Sequence, residues 1–126
     1  AATDWLYRIL VPSQTVDLSE RDPLALQLDR AILNWNNANP DETFAPQRPS
    51  VSYQVTEKGK ETTKYWSDAQ YEELSRLTGA IALDALEKRA DKINFDKPTA
   101  SQIKMIRSVL ETARSRAKAQ VLRQAE

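Results

Sequence analysis

Residues 99–121 read TASQIKMIRSVLETARSRAKAQV, and this stretch decides the fold class. Thr99 followed three residues later by Gln102 is a capping box, in which each side chain satisfies a backbone N–H at the helix start. Ile103, Ile106, Leu110, Ala113, Ala117 and Val121 then recur at steps of three and four, the spacing of one helical face. Upstream, Ser67 and Gln70 repeat the capping-box pattern. Tyr71, Leu74, Leu77, Ile81, Ala85 and Leu86 form the apolar stripe behind it, which predicts a helix running to about Lys92. Two long helices joined by the short Asn94–Pro98 connection predict an antiparallel helical hairpin.

The earlier segments are expected to complete the bundle. Trp5, Leu6, Ile9 and Leu10 predict a short helix over residues 3–11, ended by Pro12. Asp22-Pro23 is a cap followed by proline at the first helical position. Leu24, Leu28, Ala31, Ile32 and Trp35 share one face of the helix that follows, and Leu26 and Leu33 widen the expected core-facing stripe. Pro40, Pro46 and Pro49 make 40–50 a proline-rich loop. Val51, Tyr53 and Val55 alternate with polar residues, and Thr62–Trp66 is a second β-prone run beyond Lys58-Gly59-Lys60. A short β-hairpin at about 51–66 fits this pattern, and so does an extended, partly ordered linker. The expected fold is mainly α: a small helical bundle forming a single domain over residues 1–126.

Composition removes several classes of chemistry. The 126 residues include no Cys and no His. Disulfides, thiol nucleophiles, the commonest zinc ligands and the commonest general base are therefore absent. Two isolated glycines cannot build a phosphate-cradling loop. Asp84, Glu87 and Asp91 fall near one face of the predicted third long helix. With Lys88 and Lys92 beside them they read as a solvated, ion-paired surface rather than a magnesium or acid–base site. The expectation is a non-catalytic protein with no cofactor, no metal and no small-molecule substrate. Ala1-Ala2-Thr3-Asp4 lacks a basic region leading into an apolar stretch, so no signal peptide is expected, and no apolar run approaches a membrane span. A cytoplasmic location is expected.

Eighteen basic and eighteen acidic side chains cancel, but unevenly. Residues 1–50 hold four Arg against seven acids (−3), 51–96 seven basic against nine acidic (−2), and 97–126 seven basic against two acidic (+5). At 100° per residue, Lys104, Arg107, Arg114 and Lys118 form one stripe bordering the apolar face, interrupted by Glu111. Such side chains can bury their stems and reach a sugar-phosphate backbone without reading its sequence. They can equally keep a surface helix in solution, or pack the basic end against the acidic one. Lys58, Lys60 and Lys64, interleaved with Tyr53, Tyr65 and Trp66, form a second group of the kind that binds single strands, RNA or DNA. Trp5, Trp35 and Trp66 lie near segment ends, where an indole packs in the core or meets a protein partner.

The capped basic helix start Lys97-Pro98-Thr99-Ala100-Ser101-Gln102-Ile103-Lys104-Met105-Ile106-Arg107 resembles the helical small subunits of multi-subunit CRISPR interference complexes, over about the last sixty residues. The resemblance implies an antiviral-defence role in which a helical bundle lines up along a guide or target strand. Lys104, Arg107, Arg114 and Lys118 would then be the backbone contacts. It also implies binding to larger protein subunits, through Trp5 and the second helix. The proline-rich loop and hairpin depart from that family's pattern. From another class comes a structural or adaptor protein, such as a phage particle component, using residues 40–66 as interaction arms ordered only against neighbours.

Overall fold

The computed structural model describes residues 23–47 and 49–124. They form a mainly helical protein of three α-helices and one two-stranded antiparallel sheet, in the order α1 (Pro23–Ala38), β1 (Ser52–Glu57), β2 (Lys60–Tyr65), α2 (Asp68–Glu87) and α3 (Ala100–Gln124). A short 3₁₀ turn, Ala90–Lys92, lies between α2 and α3. The helix expected at residues 3–11 lies outside the described residues. No described helix is long and apolar enough to cross a membrane.

Both capping boxes form. The Ser67 hydroxyl accepts from the Gln70 amide at 3.1 Å while the Gln70 side chain accepts from the Ser67 amide at 2.9 Å. Thr99 and Gln102 do the same at 3.2 and 3.3 Å, and Gln102 Oε1 also accepts from the Asn94 amide. The helix starts are therefore fixed by side chains placed within four residues of one another. The end of α2 is not where periodicity places it. The helix stops at Glu87, and the 3₁₀ turn that follows delivers Ile93 into the core. Burial of one isoleucine outweighs another turn of an exposed, charged helix.

The core has two parts. In the larger, Leu28, Ile32, Trp35 and Phe44 meet Leu83, Leu86 and Ile93, with Ile103, Ile106 and Leu110 from α3. In the smaller, Trp66, Leu74 and Leu77 meet Ala117 and Val121. The α1 stripe is narrower than its sequence suggests: Leu26 and Leu33 are 44% and 59% exposed, so they do not widen the core face. Leu28, Ala31, Ile32 and Trp35 already fill the space available. Inside α2, the Thr78 hydroxyl donates to the Leu74 carbonyl at 2.7 Å, whereas the fully buried Ser75 hydroxyl has no hydrogen-bond partner among the described residues. An unpaired buried hydroxyl destabilises. Ser75→Ala is expected to raise stability by about 1 kcal/mol, read by urea unfolding followed through tryptophan fluorescence. A lower stability would show that the hydroxyl holds a partner.

The hairpin turns at Lys58-Gly59, both at positive φ (53° and 78°), which matches the primed two-residue turns that suit strand twist. Its register pairs Ser52 with Tyr65 and Glu57 with Lys60. Every residue of β2 is exposed, so the hairpin projects from the helices and is attached at its root. There Trp66 donates its amide to the Val51 carbonyl at 3.0 Å and stacks on Tyr53, ring centroids 4.1 Å apart.

Candidate nucleic-acid interface

The candidate surface is built from α3 and the proline-rich loop packed beside it. On α3, residues 107, 111, 114 and 118 follow one another at steps of four, three and four, so Arg107, Glu111, Arg114 and Lys118 form a ridge beside the buried stripe. Lys104, Arg107 and Lys118 are exposed, and Arg114 is half-buried. Among the described residues, none of the four cations forms an ion pair with a carboxylate.

Two of the four are nevertheless engaged. The Arg107 guanidinium lies over the Phe44 ring at 5.4 Å from its centroid, within the range of a cation–π contact. Arg114 Nη1 donates to the Gln47 carbonyl at 3.2 Å. Together with Thr43, Ala45, Leu110 and Glu111 these residues line a groove between loop and helix. Stacking holds a guanidinium by its face and leaves its N–H edge open, and a single carbonyl takes one of five donors. Arg107 and Arg114 are therefore oriented by the loop without being used up by it. Lys104 and Lys118 carry no such contact.

The loop can act this way because it is pinned. Asn36 Oδ1 accepts from the Phe44 amide at 2.7 Å and its Nδ2 donates to the Phe44 carbonyl at 2.9 Å. Trp35 Nε1 donates to the Glu42 carbonyl at 2.9 Å, and the Tyr71 hydroxyl to the Pro49 carbonyl at 2.8 Å. Phe44 itself is 5% exposed, inserted into the main core. Glu42, Phe44 and Pro49 are thus tied to side chains of the chain's own helices. Sequence reasoning missed Asn36, Phe44 and Gln47, because no local pattern links position 36 to 44 or 47 to 114.

The hairpin cations are separate from this ridge. Lys58 and Lys60 sit at the tip, about 17 Å along the strand from its root. Lys64 is held by Glu57 at 2.8 Å, and this hydrogen bond, reinforced by the carboxylate's charge, raises the lysine above its ordinary pKa. The structure joins hairpin to ridge at the root instead, where Ser52 and Trp66 line a depression with Pro49, Ser50, Leu74, Arg114 and Lys118. Exposed Tyr65 (72%) is the one hairpin aromatic whose ring is freely presented. Trp35 and Trp66, for which core packing and a partner contact were both open, are core residues. Trp5 lies outside the described residues.

The acidic constellation dissolves. Asp84 pairs with Lys88 at 3.5 Å, and the early end of α2 takes Asp91 off the helix that carries Asp84 and Glu87. Glu73, held below the usual carboxylate range by its hydrogen bond to Arg76, is likewise a surface partner. Among the described residues, no group of three His, Cys, Asp or Glu could hold a metal ion. No protein-family description, curated protein or solved structure matches the chain.

Proposed function

We propose that the protein is a non-catalytic nucleic-acid-binding and assembly subunit, a small helical bundle whose α2 and α3 form an antiparallel hairpin and whose α3 ridge contacts sugar-phosphate backbone without reading sequence. The observation that carries this reading is a ridge of four cations with no carboxylate partner among the described residues, two of them oriented by a pinned loop. From Lys104 to Lys118 the ridge spans about 21 Å, enough for several consecutive phosphates of a single strand. The role is the one filled by the helical small subunits of CRISPR interference complexes, where such a bundle works inside a larger assembly and needs no cofactor. Glu111 lowers the field at the ridge centre, which favours a contact of modest affinity strengthened by neighbouring subunits.

The test is binding of fluorescently labelled oligo(dT) and oligo(rU) across a salt series. Four phosphate contacts to a single strand predict that log K falls against log salt with a slope of about −3. Lys104→Glu combined with Lys118→Glu is expected to reduce affinity at low salt by about tenfold or more with an unchanged melting temperature, since neither side chain supports the fold. Absence of binding at low salt would leave the adaptor reading. The projecting hairpin and exposed Leu26 and Leu33 favour that alternative, a protein that binds protein partners alone.

A further inference from the structure

On a different side of α3, a second groove runs between α2 and α3. One wall is Ile81, Asp84 and Ala85 of α2 with Lys88 and Arg89 of the turn after it, and the other is α3 from Met105 to Arg116. The floor is apolar and half-buried, made by Ile81, Met105 and Val109, which pack against the main core, and by Ala85; among the described residues nothing lies over it. The α3 rim consists of two small hydroxyl residues, Ser108 and Thr112, over which another backbone can approach closely.

Charge around the groove is one-sided. Lys88 is answered by Asp84 at 3.5 Å, which removes both from the balance. Arg89 gives one N–H to the Ala85 carbonyl at 2.9 Å and keeps the rest, and Arg116 has no ion-pair or hydrogen-bond partner among the described residues. A neutral or basic occupant would have to desolvate these guanidinium groups without return, whereas carboxylates on the occupant's flanks would offset that cost. Most of both walls is helical backbone hydrogen-bonded within itself, and the Ala85 carbonyl near the end of α2 is taken by Arg89, so the groove offers no row of backbone donors and acceptors. An extended segment laid here would leave its own amides unpaired, so the occupant must satisfy its backbone within itself. The groove is about 16 Å long from Met105 to Arg116, the length of three helical turns.

We infer that the α2–α3 groove is a docking site for an acidic amphipathic helix of a partner protein, about three turns long, with apolar residues on the Ile81–Ala85–Met105–Val109 floor and carboxylates reaching Arg89 and Arg116. This surface is independent of the phosphate-binding reading, because Lys104, Arg107, Arg114 and Lys118 do not line it.

Met105 is the single methionine of the chain, so its methyl resonance reports on the groove without ambiguity. The probe is a synthetic helical peptide with Leu at i, i+3, i+4 and i+7 and Glu on both flanks, titrated into the full chain carrying ¹³C-methyl methionine. A control peptide carries Lys in place of Glu. The acidic peptide is expected to shift the Met105 methyl saturably, and Arg116→Glu to weaken its binding by about tenfold. Thr112→Glu, on the exposed rim, is expected to weaken it as well, while circular dichroism of both variants stays that of the parent. The inference is overturned if the acidic peptide leaves the methyl unmoved at millimolar concentration, or if the lysine peptide binds equally. A Met105 shift that depends on protein concentration alone would overturn it in favour of a second copy of the chain as occupant.

Discussion

Phe44→Ala is expected to lower the unfolding free energy by about 3–5 kcal/mol, the usual cost of removing a buried aromatic ring without refilling its space. For a domain of this size that is a large share of the total, which runs about 5–15 kcal/mol. The ring is almost wholly enclosed and touches the same cluster as Trp35, Leu110 and Ile106, so little around it can collapse inward. Urea unfolding measures the loss. Phe44→Leu separates its two components: leucine keeps most of the burial but gives Arg107 no π face, worth about 0.5–1 kcal/mol at an exposed site. The alanine variant should also speed amide hydrogen exchange across residues 40–47, because the Asn36 bonds then hold a segment with nothing inserted into the core. A destabilisation below about 1 kcal/mol would mean that the loop is held by its hydrogen bonds alone, and that the ring is not its anchor.

That expectation has a functional consequence under the proposed reading. If the loop orients Arg107 and Arg114 for phosphate, Phe44→Leu should weaken oligonucleotide binding while leaving the fold intact. If the loop merely covers them, binding should strengthen. The sign of the change separates an oriented pair of arginines from an obstructed one.

How much of this was legible beforehand depends on the range of the interactions. The starts of α2 and α3 were readable because a capping box closes within four residues, and the buried stripe of α3 because periodicity is a property of one helix. The sequence around Lys58-Gly59, between alternating runs, allowed a hairpin or an extended linker, and the register that pairs Ser52 with Tyr65 is settled only by the fold. What failed was long-range. Leu26 and Leu33 belong to the apolar pattern of α1, yet exposure is decided by what packs opposite, and Leu28, Ala31, Ile32 and Trp35 already fill the core face. The early end of α2 is set by Ile93, six residues past the last helical position. The arginines of α3 were visible as a stripe, but not their engagement: Arg114 meets Gln47 across 67 positions of sequence. Charge patterning indicates which face of a helix is basic, and only the fold indicates which of those charges are already spoken for.

Trp66→Ala should have a more local effect of similar size, about 3–5 kcal/mol, confined to one end of the molecule. A two-stranded hairpin is marginal unless something packs on it, and every residue of β2 is exposed. Its attachment rests on the indole, which stacks on Tyr53 and packs against Leu74, Leu77, Ala117 and Val121. The features internal to the hairpin do not substitute for it. Gln54 and Thr63 exchange side-chain hydrogen bonds, but both are exposed. The Glu57–Lys64 pair is a surface contact of small value. Because it raises the lysine above 10.5, its contribution is fully present at lower pH and is lost as pH climbs through the shifted value, so it cannot make the hairpin pH-sensitive near neutrality. Lys58 at φ 53° costs about 1 kcal/mol rather than contributing. With the indole removed, amide protection should therefore vanish across residues 52–65 while the helical circular dichroism stays close to that of the parent. Protection lost equally in α1, which shares no cluster with Trp66, would instead mean that the two parts of the core unfold as one unit.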